Sequence, residues 1–141
     1  IPHFQFPIPN SPFPRVMSQL FLAIASILGG LAVAAGAFAS HALKGSLSER
    51  SLEIFETGTR YQMYHALALL LIALLLEQGK FSPKFLGASG YAFILGIVIF
   101  SGSLYALSLT NIKWLGAITP IGGAAFLVGW GFLAISAFNF Q

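Results

Sequence analysis

The chain has no cysteine and no aspartate, and only 8% of its 141 residues are charged. Without cysteine there are no disulfides, thiolate metal sites or cysteine nucleophiles. Its four acids are all glutamates, and Glu49, Glu53 and Glu56 crowd into one short segment, leaving Glu77 as the sole acid beyond it. No carboxylate pair therefore stands within an apolar run, which counts against a proton-driven pump. Soluble domains carry about 25% charge, so neither an ordinary globular fold nor a charged disordered chain fits. Seven Lys and Arg give a net charge of +3, but they are scattered. With no basic run, nucleic acid is not an expected partner. Glycine-rich phosphate loops and serine-centred elbows are missing too.

What the chain does have is apolar length, with hydrophobic residues making up 57% of it. Leu67 to Leu76 runs for ten residues without a polar side chain, which no water-facing helix tolerates. The expected fold class is an all-α membrane protein with four transmembrane helices. The spans are placed near Leu20–Leu43, Tyr61–Leu76, Phe85–Leu109 and Leu115–Phe138, each long enough or nearly so for a core of roughly 30 Å. Gly45, Gly79 and the Asn111 turn mark span ends. Ser46 to Glu49 has the pattern of a capping box, opening a short interfacial amphipathic helix between spans one and two with a bend at Gly58. Span one carries small residues every four positions, Ser26-Gly30-Ala34 and Ala32-Gly36-Ser40, spacing that lets membrane helices approach closely. An integral, multi-pass protein follows, in a bacterial inner (cytoplasmic) membrane or another energy-coupling membrane. Arg15, Lys80 and Lys84 on the terminal side oppose Lys44, Arg50, Arg60 and Lys113 on the other. Three against four sets no orientation.

Residues 1–16 differ from the rest. Five of the seven prolines lie here, among Phe4, Phe6 and Phe13, so an extended, polyproline-like arm is expected. It reads as an extraneous or disordered extension ahead of Met17, with residues 17–141 forming the four-helix integral membrane domain.

Chemistry-bearing residues gather at one membrane face. His41 and Lys44 leave span one, while Glu56, Arg60, Tyr61, Tyr64 and His65 enter span two. A Glu56–Arg60 pair four residues apart attracts along a helix surface, and the histidines are candidates to bond a carboxylate or tyrosine. The chemical uses open to such a cluster are a proton relay or solute gate, an acid–base site, or haem ligation through His41 and His65. Metal ligation lacks a third residue at suitable spacing. The plainer use is a structural network tying the first two spans. A second motif, Thr119, Pro120, Gly122 and Gly123, predicts a bend inside span four, and Ser101-Gly102-Ser103 with Tyr105 offers a small polar face against it.

Four strings carry a resemblance: Gly36 to Lys44, Phe55 to Leu69, Phe100 to Tyr105 and Ile118 to Gly123. In this order they resemble the domain of unknown function 423 family (uncharacterised protein family 0382), small four-span membrane proteins related to eukaryotic transmembrane protein 256. Ala39-Ser40 departs from the Gly-Ala of the family pattern, a change between small residues. The resemblance implies a fold and a membrane location, and brings no activity, cofactor or catalytic residue. The expected function is thus a non-enzymatic accessory or assembly component. Its partners are the lipid bilayer and either a larger membrane complex or further copies of itself. The alternative is a small carrier or channel using the His41/Arg60/His65 cluster or the Pro120 bend.

Overall fold

The computed structural model describes residues 12–140. Helix α1 (Phe13–Phe38) runs into a π turn (Ala39–Leu43), and α2 (Glu49–Gln78) follows. The third span is α3 (Pro83–Gly96), a second π turn (Ile97–Ser101) and α4 (Gly102–Thr110). A 3-10 turn (Lys113–Ala117) leads into α5 (Thr119–Ala137). Four continuous helical stretches are long and apolar enough to cross a membrane, at Phe13–Leu43, Glu49–Gln78, Pro83–Thr110 and Lys113–Ala137.

The span ends follow local chemistry. Gly45 (φ 92°), Gly79 (φ 67°) and Asn111 (φ 58°) take the left-handed conformation that closes a helix. Pro83 opens α3 at a position whose backbone N–H would be unbonded anyway.

Several expectations need amending. The amphipathic stretch before span two is not a separate helix: Glu49 to Gln78 is one uninterrupted α-helix of 30 residues. Gly58 does not bend it, because a break there would strand backbone groups near the hydrocarbon boundary. The cap of α2 is Ser48 rather than Ser46, with the Ser48 hydroxyl accepting the Ser51 N–H at 3.1 Å. Pro120 sits in the first turn of α5, so it starts a helix instead of kinking one. The proline-rich arm lies outside the described residues up to 11, but Phe13 to Val16 already belong to α1, with Pro14 in its first turn.

Helix α2 and the third span form the middle of the bundle. Helix α1 packs along α2, and α5 packs along α3. Antiparallel register between α1 and α2 is set at one end by the Ser18 hydroxyl donating to the Glu77 carboxylate and toward the other by Gly36 beside Thr59. Phe21 of α1, Leu69 and Ile72 of α2, and Leu86 and Phe93 of α3 are wholly buried in one shared core.

Lipid tails are as apolar as leucine, so contact distance rather than hydrophobic burial holds such helices together. Gly122 shows it best: a methyl group there would lie 2.7 Å from Phe100 Cα and would overlap its backbone nitrogen. The π turn that ends at Ser101 supplies the surface for this approach, since its extra residue per turn brings the Phe100 backbone outward onto α5. Gly122→Ala is expected to cost about 1–3 kcal/mol by overpacking. Gly30→Ala, where nothing lies within 4 Å, should leave stability equal or slightly raised. Reversible unfolding in mixed micelles measures both.

Candidate functional site

The polar heart of the bundle is Gln62. Its side chain is buried, and its Nε2 donates to the Leu28 carbonyl of α1 at 2.8 Å. Its Oε1 accepts from the Tyr105 hydroxyl of α4 at 2.7 Å, and that hydroxyl lies 3.4 Å from the Thr59 hydroxyl one turn back along α2. One amide therefore links three spans. Beside it the Ser101 hydroxyl donates to the Gly58 carbonyl at 2.7 Å. A side chain at Gly58 would meet the Tyr105 ring at 3.0 Å, so glycine here makes room for the tyrosine that reaches Gln62.

His65 lies on the other side of α2. Trp130 Nε1 of α5 donates to His65 Nε2 at 3.1 Å, so Nε2 carries no proton. The proton is then on Nδ1, which donates to the Tyr61 carbonyl at 2.7 Å. The imidazole stacks on Phe126 with ring centroids 3.5 Å apart and planes 8° from parallel. Both ring nitrogens are thus consumed by the fold.

These geometries divide the predicted cluster. The helix register places His41 level with Ile54, eleven residues and about 16 Å along the axis from His65. His41 and Lys44 are exposed at the membrane face. Glu56 is exposed and Arg60 turns to the Thr57 hydroxyl at 3.2 Å. Among the described residues the ion pair is Arg50–Glu53 at 3.4 Å, also exposed. Tyr61 and Tyr64 face span four beside His65. A haem held by His41 and His65 together has no support in this arrangement, and neither has a His41/Arg60/His65 solute site. Of the second motif, Thr119 bonds the Ser103 hydroxyl at 2.6 Å and Gly122 packs on Phe100, while Pro120 is exposed. The polar face of span three is real but split. Ser103 meets span four, as expected, whereas Ser101 and Tyr105 turn to span two.

Sequence reasoning passed over Gln62, Trp130 and Phe126. Gln62 carried a usable signal, an amide six residues inside the boundary marked by Glu56, where an unbonded polar group is costly. Trp130 carried none, as its partner is set by how α5 folds back. Among the described residues every buried side-chain nitrogen and oxygen has a hydrogen-bond partner, and no three His, Cys, Asp or Glu side chains come together.

Comparison with known proteins bears on this arrangement. A family model described as "Protein of unknown function (DUF423)" matches residues 35–123, a window that holds Gln62, Tyr105, Gly58 and Ser101. The chain belongs to this family. A UPF0382 membrane protein of Staphylococcus aureus (strain bovine RF122 / ET3-1) is 43% identical over 122 residues, covering 86% of this chain and 98% of the relative. The UPF0382 membrane protein YwdK of Bacillus subtilis is 41% identical with the same coverage. No solved structure matches the chain. This DUF423 protein is therefore an integral, multi-pass membrane protein of all-helical fold. Its bacterial relatives accord with an inner (cytoplasmic) membrane.

The Gln62–Tyr105 bond is open to a double-mutant cycle. Gln62→Leu and Tyr105→Phe, each alone and together, should give a coupling of about 0.5–1.5 kcal/mol, the range for hydrogen bonds between membrane helices. Arg60→Ala, which removes one exposed contact, should shift stability by less than about 0.5 kcal/mol. Unfolding free energies in bicelles measure both.

Proposed function

We propose that this DUF423 protein is a non-enzymatic accessory or assembly subunit, which acts by packing span one against the helices of a membrane partner. The observation that carries this is the open face of α1. In the most apolar stretches of the two outer spans, one and four, 17% of the residues are buried, against 44% in span two, and of the two outer spans it is α1 that carries a small-residue stripe on its open side. The two predicted small-residue stripes have separate fates. Ala32 is buried, and Gly36 packs beside Thr59. Ser26, Gly30 and Ala34 face outward, and a side chain at Gly30 would meet nothing within 4 Å. A row of small residues on an outward face is what close helix–helix contact in lipid requires. The buried polar residues of α2 support the same reading, because Gln62 and His65 are both taken up by bonds within the bundle.

Gly30→Leu tests it, because the added side chain has no intramolecular contact to disturb. On native gels after mild solubilisation, the wild-type chain is expected in a species larger than its 15.0 kDa monomer. Gly30→Leu should shift it to the monomer without changing its melting temperature. A wild-type chain that already migrates as a monomer contradicts the proposal.

A further inference from the structure

Spans two and four are bridged by side chains rather than by close backbone approach, and the gap leaves an opening of about 410 Å³. That volume lies within the range of small-molecule sites. Six of its lining residues are ring-bearing: Tyr61, Tyr64, His65, Phe100, Phe126 and Trp130. Tyr61, His65 and Phe126 lie nearly parallel, with His65 8° and Tyr61 28° from Phe126, while Trp130 stands at 64° to His65. Tyr61 and Trp130 show 39% and 46% of their surface at the mouth. The Tyr61 and Tyr64 hydroxyls make no hydrogen bond to any described residue.

The surroundings narrow the ligand. His65 lies nine residues inside Glu56, about 13 Å along the helix, so whatever enters comes from the lipid phase. No carboxylate lines the opening, so an organic cation would arrive at apolar depth without a counter-charge. An acyl chain gains nothing special from ring faces and leaves the two hydroxyls unbonded. The groove between α1 and span three, whose lining adds Leu28, Leu31, Ile97 and Val98 to Phe38, Phe55 and Tyr105, offers such chains more aliphatic surface. A flat ring bearing hydrogen-bond acceptors uses both features, stacking on aromatic faces and bonding phenols.

We propose that this opening binds the ring of a lipophilic quinone, which stacks on the exposed face of Trp130 and accepts hydrogen bonds from the Tyr61 and Tyr64 hydroxyls. The assignment is independent of the accessory role.

The chain has two tryptophans, so Trp114→Phe leaves Trp130 as the sole indole reporter. The full chain carrying Trp114→Phe, in phospholipid nanodiscs, is titrated with decylubiquinone while indole emission is followed. The expected result is saturable quenching. Gly123→Leu should abolish the saturable part at unchanged melting temperature, since Gly123 faces the opening and an added methyl there has only ordinary contact with Phe100, at 3.9 Å. Tyr61→Phe with Tyr64→Phe should raise the half-saturating concentration about 10-fold, the effect of losing two neutral hydrogen bonds of modest strength. Strictly linear quenching in the parent, saturation that survives Gly123→Leu, or an unchanged half-saturation in the tyrosine pair overturns the proposal. Displacement by 1-decanol as effective as by the quinone also overturns it, assigning the opening to alkyl chains. If Gly123→Leu does not fold, the tyrosine pair decides.

Discussion

A single amide at membrane depth governs this structure. Inside a bilayer no water is at hand to satisfy a glutamine, and an unbonded amide costs several kcal/mol in an apolar medium. Gln62 meets that requirement by donating to the Leu28 carbonyl and accepting from Tyr105. In doing so it ties α1 to α2 between the Ser18–Glu77 and Gly36–Thr59 contacts and holds Tyr105 of span three against them. Gly58 has to be small so that Tyr105 can arrive, and Ser101 then bonds the carbonyl that Gly58 exposes. Within the segment from Phe55 to Leu67, the face carrying Phe55, Gly58, Gln62 and His65 is thus a packing surface.

The arrangement of helices follows from the same economy of contacts. The two inner spans make the polar bonds, and the two outer spans are laid against them by glycine and serine contacts such as Gly122 on Phe100 and Ser89 on the Gly129 carbonyl. Each outer helix covers one side of the inner pair and leaves the rest of its own surface to lipid or to other helices. An opening of mixed aliphatic and aromatic lining lies beside α1, and a predominantly aromatic one beside α5. Their different linings come from the residues that face each gap: α1 and the π turn of span three bring Leu28, Leu31, Ile97 and Val98 to the first, while α2 and α5 bring mostly rings to the second.

Much of the fold was legible in the sequence, because hydropathy and turn chemistry are local. Gly45, Gly79, Pro83 and Asn111 stop or start helices where their backbone preferences say they should. The boundary of span two was misjudged because charge was taken to mean a separate surface helix. A helix that begins in the headgroups needs no break to enter the core, and α2 keeps its hydrogen bonds throughout. Pro120 was read as a kink because the 3-10 turn at Lys113–Ala117, which places it at a helix start, has no clear sequence mark. The candidate cluster was half legible. His65 and the tyrosines do point into the bundle or its gap, but His41 and Arg60 share only a membrane face with them. Helical register separates residues that adjacency in sequence seems to gather.

The central claim is that Gln62 physically joins α1 to α2 within the bilayer. Solid-state NMR on the protein in lipid, with nitrogen-15 in glutamine and carbon-13 in leucine carbonyls, tests this most directly. The expected result is a dipolar cross-peak between Gln62 Nε2 and the Leu28 carbonyl carbon, across a hydrogen bond of 2.8 Å. A Gln62 amide whose nearest neighbours are water or lipid protons, with no contact to Leu28, contradicts it.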